Sequence, residues 1–326
     1  MQKNNSILAI TPVKHIEGLT YSLKKIGKLT IFENPSKEQL KKIIHKYDAV
    51  FTNPNKSKIY IDKEIMDLGT RLKVICTAST GTNHIDTSYA KKINLKIISL
   101  TKNINIIKKI SSTAEHALAL TMSSLRNVVK SNKSVLNGEW DYTKYIGQQM
   151  NFLTIGIIGY GRLGKIYANY CKAFGCKVIF YDPYKKSISN KIKKEKNLTN
   201  LICKSDIISL HVHVKKDTTH MINKKTLSHA KKNIIIVNTS RGEIVDELEI
   251  IAFLKKNKNA KYATDVLEKE IFGIRNNKLI KYAKKNTGQV IITPHIGGMT
   301  IEAQNIAYSH SVKKLDLFLN NLKASK

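Results

Sequence analysis

The chain has 326 residues, which at roughly 150 residues per domain suggests about two domains. Its 42% hydrophobic and 25% charged residues are ordinary for a globular protein, and no apolar run approaches the ~18 residues that span a membrane. The formal net charge of +32 is nearly all lysine spread along the whole chain, with only five arginines. It lacks the concentrated, aromatic-interleaved pattern of a nucleic-acid groove, so it argues against specific nucleic-acid binding while favouring anionic small substrates through steering.

In chain order, Met1–Ser6 leads straight into Ile7–Ile10, an apolar run too short for a signal segment that reads as a strand. Further strand signals follow at Leu29–Phe32, Ala49–Phe51, Val74–Cys76 and Lys96–Ile98. Amphipathic stretches separate them, such as Ser36–Lys46 with Leu40, Ile43 and Ile44 at helical spacing. Ile110–Val129 reads as one long helix, capped by Ser112 or Thr113 and supported by Glu115 in its first turn. After a loop with Gly138 and Trp140, a second alternation begins at Phe152. Its strands are Leu153–Ile158, Lys177–Tyr181, Ile207–Val212, Ile234–Asn238, Ala260–Thr264 and Val290–Thr293, and Thr300–Leu322 reads as a closing helix. The pattern is α/β, two doubly wound units in succession with no flexible tether. The four cysteines (Cys76, Cys171, Cys176, Cys203) form no CxxC pair and no zinc spacing, so no metal is expected; they read as reduced, buried thiols of a cytoplasmic protein.

Leu153–Gly164 reads LTIGIIGYGRLG, in which Gly159, Gly161 and Gly164 make the GxGxxG pattern between a strand and a helix beginning at Arg162. Gly159 permits the tight turn, Gly161 lets the backbone approach a pyrophosphate, and Gly164 lets helix and strand pack closely. A lone GxGxxG is weak, and a methyltransferase site shares it. The context adds Asp182 at the end of the next strand, where a carboxylate accepts ribose hydroxyls and repels the 2′-phosphate of NADP. Lys185 and Lys186 stand nearby and weaken that repulsion.

Asn238-Thr239-Ser240-Arg241-Gly242 closes another strand, where ligands of open α/β sheets bind. An arginine in a chain that otherwise uses lysine offers a planar fork for a carboxylate and a carbonyl oxygen. Thr293-Pro294-His295-Ile296-Gly297-Gly298 closes a further strand, and His295 suits proton exchange in an alcohol–ketone interconversion. A carboxylate partner would orient its ring, but spacing does not choose among Asp265, Glu268 and Glu270. The alternative for each of these residues is a structural or solvated role.

Taken together these segments resemble the D-isomer-specific 2-hydroxyacid dehydrogenases. Ser79–Asp86 (STGTNHID), Ser112–His116, the GxGxxG with Asp182, Ser240–Asp246 (SRGEIVD), Asp265-Val266 and Pro294–Gly298 carry the likeness over nearly the whole chain. The resemblance implies a Rossmann NAD-binding domain (103–296) and a discontinuous, flavodoxin-like substrate-binding domain (1–102 with 297–326), hinged near 102 and 297. It implies Arg241, Glu270 and His295 as the catalytic set, although Ile271 stands where the family usually has proline. It places Gly159, Gly161, Arg162, Leu163, Gly164, Asp182, Thr239, Asp265 and Gly298 by the NAD, and Thr80 and Gly81, with Arg241, at the substrate. It implies a homodimer.

The expected reaction moves a hydride between NAD and C2 of a D-2-hydroxy acid. His295 takes the hydroxyl proton, Glu270 holds its ring, and Arg241 anchors the carboxylate. His295–Gln304 looks most like the 3-phosphoglycerate dehydrogenase branch, in a short form ending after the closing helix and without a C-terminal regulatory domain, and Lys56 and Lys58 are candidates for a phosphate. Glyoxylate or hydroxypyruvate reduction is the alternative. An NAD-sensing, corepressor-like binding protein and a formate dehydrogenase are further rivals; the first lacks tails here, and the second carries glutamine where this chain has Glu270. Trp140 resembles an element reaching toward a neighbouring active site, with buried packing as its other reading. His84 and His116 lie near family motifs and have local hydrogen bonding as their bland role.

Overall fold

The structure is a computed structural model and describes residues 5–54, 59–101, 103–185, 192–270 and 274–324. Lys56, Lys58, residue 102, Lys186 and Ile271 therefore lie outside the described residues. The chain divides into two compact units, Met1–Ile110 with Met299–Lys326, and Ser111–Gly298. The divisions fall after Ile110 and after Gly298, whereas the sequence reading places hinges near 102 and 297.

The first unit runs β1 (Ser6–Ala9), α1 (Leu19–Ile26), β2 (Lys28–Ile31), α2 (Lys37–Ile43), β3 (Ala49–Thr52), α3 (Lys63–Leu68), β4 (Val74–Thr77), α4 (Thr87–Lys92), β5 (Lys96–Ile98) and α5 (Ile104–Ile107). All strand pairs are parallel, in the order β2-β1-β3-β4-β5, the flavodoxin-like arrangement. Both faces of β3 and β4 are buried, which is why their sequences are continuous apolar runs rather than alternating ones. Ile7, Ala9, Phe51 and Cys76 face the closing helix Ile301–Ala324, which contributes Tyr308, Val312, Leu315 and Leu319. Leu8, Val50 and Ile75 face α2 and α3 through Leu40, Ile65 and Met66. The start of α2 is fixed by a capping box: the Ser36 hydroxyl accepts from Gln39 N–H (3.1 Å), and the Gln39 side chain accepts from Ser36 N–H (2.8 Å).

The second unit runs α6 (Ser112–Leu125), α7 (Val128–Leu136), β6 (Thr154–Ile158), α8 (Arg162–Ala173), β7 (Lys177–Tyr181), β8 (Lys193–Lys194), α9 (Leu198–Lys204), β9 (Ile207–Leu210), α10 (Lys224–Leu227), β10 (Ile235–Asn238), α11 (Glu247–Lys256), β11 (Lys261–Thr264), α12 (Lys278–Lys285) and β12 (Val290–Ile292). Its seven strands pair in parallel in the order β12-β11-β10-β9-β6-β7-β8, the Rossmann order extended by one strand. One face packs on α6 and α8 through Ala117, Leu120, Tyr167 and Cys171; the other packs on α9, α11 and α12 through Leu201, Ile250, Leu254 and Leu279. Burying each such aliphatic or aromatic side chain contributes about 1.5–3 kcal/mol. Because every strand runs the same way, the loops after β6, β7, β9, β10, β11 and β12 gather at one edge of the sheet.

Three expectations are corrected. The helix expected over Ile110–Val129 is two, α6 and α7, broken at Asn127, whose φ of 54° lies in the left-handed region that asparagine tolerates. The break is held because Lys261 Nζ donates to Ser124 O (2.7 Å) and Asn127 Oδ1 (2.6 Å). The N-cap of α6 is Ser111, not Ser112 or Thr113, and its hydroxyl bonds Glu115 rather than a backbone amide. Cys203 is exposed, whereas Cys76, Cys171 and Cys176 are buried, and all four are free thiols. Among the described residues no helix is long and apolar enough to cross a membrane.

Candidate active site

The turn after β6 is built as the glycine spacing predicts. Gly159 has φ +90°, and a Cβ there would stand 2.5 Å from His211 O, so only glycine fits. Gly164 packs on the same turn, where an added Cβ would meet Gly159 O at 2.2 Å. Gly161 differs: its Cβ direction meets nothing within 4 Å, so this chain itself does not require glycine there. The close approach of a pyrophosphate would require it, and the amides opening α8 would turn the helix dipole toward such a group. Arg162 opens α8, burial pushing its guanidinium below the usual value, and Leu163 packs against the α6–α8 core. Asp182, at the end of β7, is buried and held by Tyr160 N–H (3.0 Å) and Tyr184 N–H (2.9 Å), leaving its remaining lone pairs for ribose hydroxyls. Thr239 Oγ1, at the end of β10, is buried without a hydrogen-bond partner among the described residues, as a hydroxyl facing a bound cofactor would be. These residues fit a dinucleotide.

Arg241 follows Thr239 on the same loop. Ser240 Oγ donates to Leu210 O (2.7 Å), Asn238 Nδ2 donates to Arg241 O (2.9 Å), and Arg241 Nη1 donates to Ser240 O (2.7 Å). Burial pushes the guanidinium below its usual value, opposed by the charges of Glu270 and Glu243. Gly242 explains the small residue after the arginine. A Cβ there would sit 2.0 Å from Leu267 C and 2.1 Å from Glu268 N, so its backbone lies flat on the peptide leading to Glu270.

His295 and Glu270 are brought together, with Nδ1 2.6 Å from Glu270 Oε1. A carboxylate only accepts, so the hydrogen sits on Nδ1 and Nε2 is the ring's other exchangeable position. His295 has φ 56° and Lys269 has φ 59°, left-handed backbones on both sides of the pair. Of the carboxylates that spacing left open, Glu268 pairs instead with His220 (3.2 Å), and Asp265 holds the His295 loop. Asp265 accepts from Thr293 Oγ1 (2.6 Å), Ile296 N–H (2.9 Å) and Gly297 N–H (2.7 Å), with His116 Nε2 at 3.3 Å. Burial pushes its pKa up, but these donors, His116 foremost, outweigh that and hold it below the usual carboxylate range. His116 also shares a hydrogen bond with Thr293 Oγ1 (2.8 Å), the local role expected of it. Gly298 closes the unit, with nothing within 4 Å of an added Cβ.

Thr80 and Gly81 belong to the other unit, in the loop after β4. Ser79 Oγ donates to Gly81 O (2.6 Å) and Thr101 Oγ1 donates to Thr80 O (2.7 Å). Trp140 is 90% exposed, so it is not a buried packing residue of this chain. The sequence reading gave Thr293 no role beyond opening the His295 loop, and it missed Glu247. Thr293 was visible as the residue two before His295; Glu247 carried no signal beyond its place after the SRGEIVD segment. Among the described residues no cluster of three or more histidine, cysteine or acidic side chains suits a metal.

A Rossmann unit with a dinucleotide turn, an arginine and a carboxylate-held histidine at one sheet edge defines a nicotinamide-dependent dehydrogenase class. The chain belongs to the D-isomer specific 2-hydroxyacid dehydrogenase family: the family's NAD-binding domain matches residues 118–297. It is 32% identical over 300 residues to the D-3-phosphoglycerate dehydrogenase of Archaeoglobus fulgidus, covering 91% of this chain and 54% of that protein. The chain thus spans about half the length of the curated phosphoglycerate dehydrogenases it matches. It is 31% identical to the hydroxypyruvate reductase of Thermotoga maritima, covering 87% of this chain and 88% of that one. The D-lactate dehydrogenase of Aquifex aeolicus, solved with NAD and lactic acid, superposes with a TM-score of 0.83 at 27% identity, over 97% of this chain and 96% of that one.

Proposed function

We propose that this protein is an NAD-dependent oxidoreductase acting at C2 of a D-2-hydroxy acid or the matching 2-keto acid. The observation that carries the reading is the 2.6 Å His295–Glu270 pair on the sheet edge that also bears Arg241 and the glycine turn. NAD, when bound, supplies or takes the hydride at its nicotinamide ring. His295 then exchanges a proton with the C2 oxygen, Glu270 holding the imidazole in the orientation this needs. Arg241 grips the substrate carboxylate and polarises the C2 oxygen; in its own unit, the loop at Thr80 and Gly81 is the segment assigned to substrate binding. Asp182 favours NAD over NADP.

Its relatives support two substrate readings, 3-phosphoglycerate with its keto partner, and hydroxypyruvate or glyoxylate. A phosphorylated substrate is the first choice, given the chain's positive field. The protein works as a homodimer in the cytoplasm. Leu136, Trp140, Tyr142 and Ile146 are 75–90% exposed on α7 and the segment after it, apolar side chains that a second copy would cover; free, mostly buried thiols suit a reducing compartment. Substituting His295→Ala should cut turnover on the best 2-keto acid by about 10²–10⁴-fold while leaving NADH binding intact. Turnover close to wild type in both His295→Ala and Arg241→Ala would refute the assignment.

A further inference from the structure

We infer that Glu247 is a positioning residue for the Glu270–His295 pair; the inference rests on the function proposed above. Glu247 is the first residue of α11, and its carboxylate is divided between two donors. Oε1 accepts from Glu268 N–H (2.9 Å) and Oε2 accepts from Asn277 Nδ2 (2.7 Å). Asn277 is itself the N-cap of α12, accepting from Ile280 N–H (2.9 Å). One carboxylate therefore holds both the peptide N–H two residues before Glu270 and the residue that caps α12.

The consequence for aim is direct. Gly242 lies flat on the Leu267–Glu268 peptide from the Arg241 side, and Glu247 holds the N–H of that same peptide. The next residue, Lys269, turns through the left-handed region, and Glu270 then presents Oε1 to His295 and Oε2 to Leu267 N–H (3.2 Å). With the peptide free to rotate, the turn at Lys269 no longer directs the carboxylate at the ring. Glu247 is an expensive choice for a merely structural link: burial pushes its pKa up, and the charges of Glu268 and Glu243 push it further the same way. Its two acceptor oxygens are what the place requires, because a glutamine would offer one acceptor and turn an amide N–H₂ toward the second donor.

The test compares E247L, E247Q and the reciprocal swap E247Q/N277D, in which the introduced amide accepts from Glu268 N–H and donates to the introduced carboxylate, which still caps α12. In E247L, kcat on a 2-keto acid should fall about 10- to 100-fold with KM for NADH unchanged. On an E270Q background the same change should cost nothing more, because Glu247 acts through Glu270. The swap should recover most of the rate. A second readout needs no turnover: the low-field proton resonance of His295 Nδ1–H, identified by its loss in E270Q, should be absent in E247L and present in the swap. An equal loss on both backgrounds, or a resonance unmoved in folded E247L, would overturn the inference. A wild-type protein inactive on every 2-keto acid would refute the proposed function instead, and the resonance would still decide the role of Glu247.

Discussion

Arg241 was legible as an uncommon residue type at a strand end, and His295 as a histidine in a Pro/Gly-framed loop at another, where open α/β sheets expose their chemistry. Choosing the carboxylate was not possible from spacing. Asp265, Glu268 and Glu270 lie within one short segment, and only the left-handed turn at Lys269 and the peptide stacked on Gly242 separate their directions. Gly242→Ala should therefore cost about 10²-fold in kcat/KM, since its methyl must push the Leu267–Glu268 peptide away and move Glu270 relative to Arg241. Steady-state kinetics with intact NADH binding checks it. Asp265 makes a second prediction. Its folded pKa is held below the usual value, so it stabilises the fold above about pH 4 and that stability is lost as pH falls through the lower folded value. Thr293→Val removes one donor and should cost about 1 kcal/mol at neutral pH. The gap between variant and wild type should close in strong acid, as urea unfolding across pH would show.

Among the elements, the strands were read well because most are buried on both faces and so appear as unbroken apolar runs. β8 was missed for the converse reason: it is two lysines at a sheet edge, with no apolar residue to mark it. The break between α6 and α7 was invisible too, since no glycine or proline interrupts Ile110–Val129 and the turn depends on a lysine far along the chain, Lys261. Asn127→Ala should accordingly lower stability by about 1–2 kcal/mol, from the left-handed backbone and the lost bonds to Tyr145 O and Ile146 O. Asn127→Gly should lose less, because glycine keeps the turn without strain; thermal melting of both variants separates the two contributions. At the β6–α8 turn, Gly159→Ala meets both a positive φ and a 2.5 Å approach to His211 O, and should abolish NADH binding as read by nucleotide fluorescence.

For the whole molecule, two successive α/β patterns in the sequence correspond to two parallel sheets, of five and seven strands. Surface apolarity was the part least legible in the sequence: Trp140 had an outward-reaching and a buried reading, and nothing marked Leu136 and Tyr142 as exposed until the fold left them outside. If a second copy covers them, Trp140→Glu with Leu136→Glu should shift sedimentation from dimer to monomer while the folded circular dichroism persists. The claim on which the rest depends is hydride transfer at C2. Its most direct test is the loss of reduced-nicotinamide absorbance with NADH or NADPH and a panel of hydroxypyruvate phosphate, hydroxypyruvate, glyoxylate, pyruvate and 2-oxoglutarate, for wild type and His295→Ala. Wild type should consume NADH in preference to NADPH with at least one of these acids, and His295→Ala should not. NADH that binds but is consumed with none of them, or equal consumption by the variant, would contradict the claim and favour a cofactor-sensing binding protein.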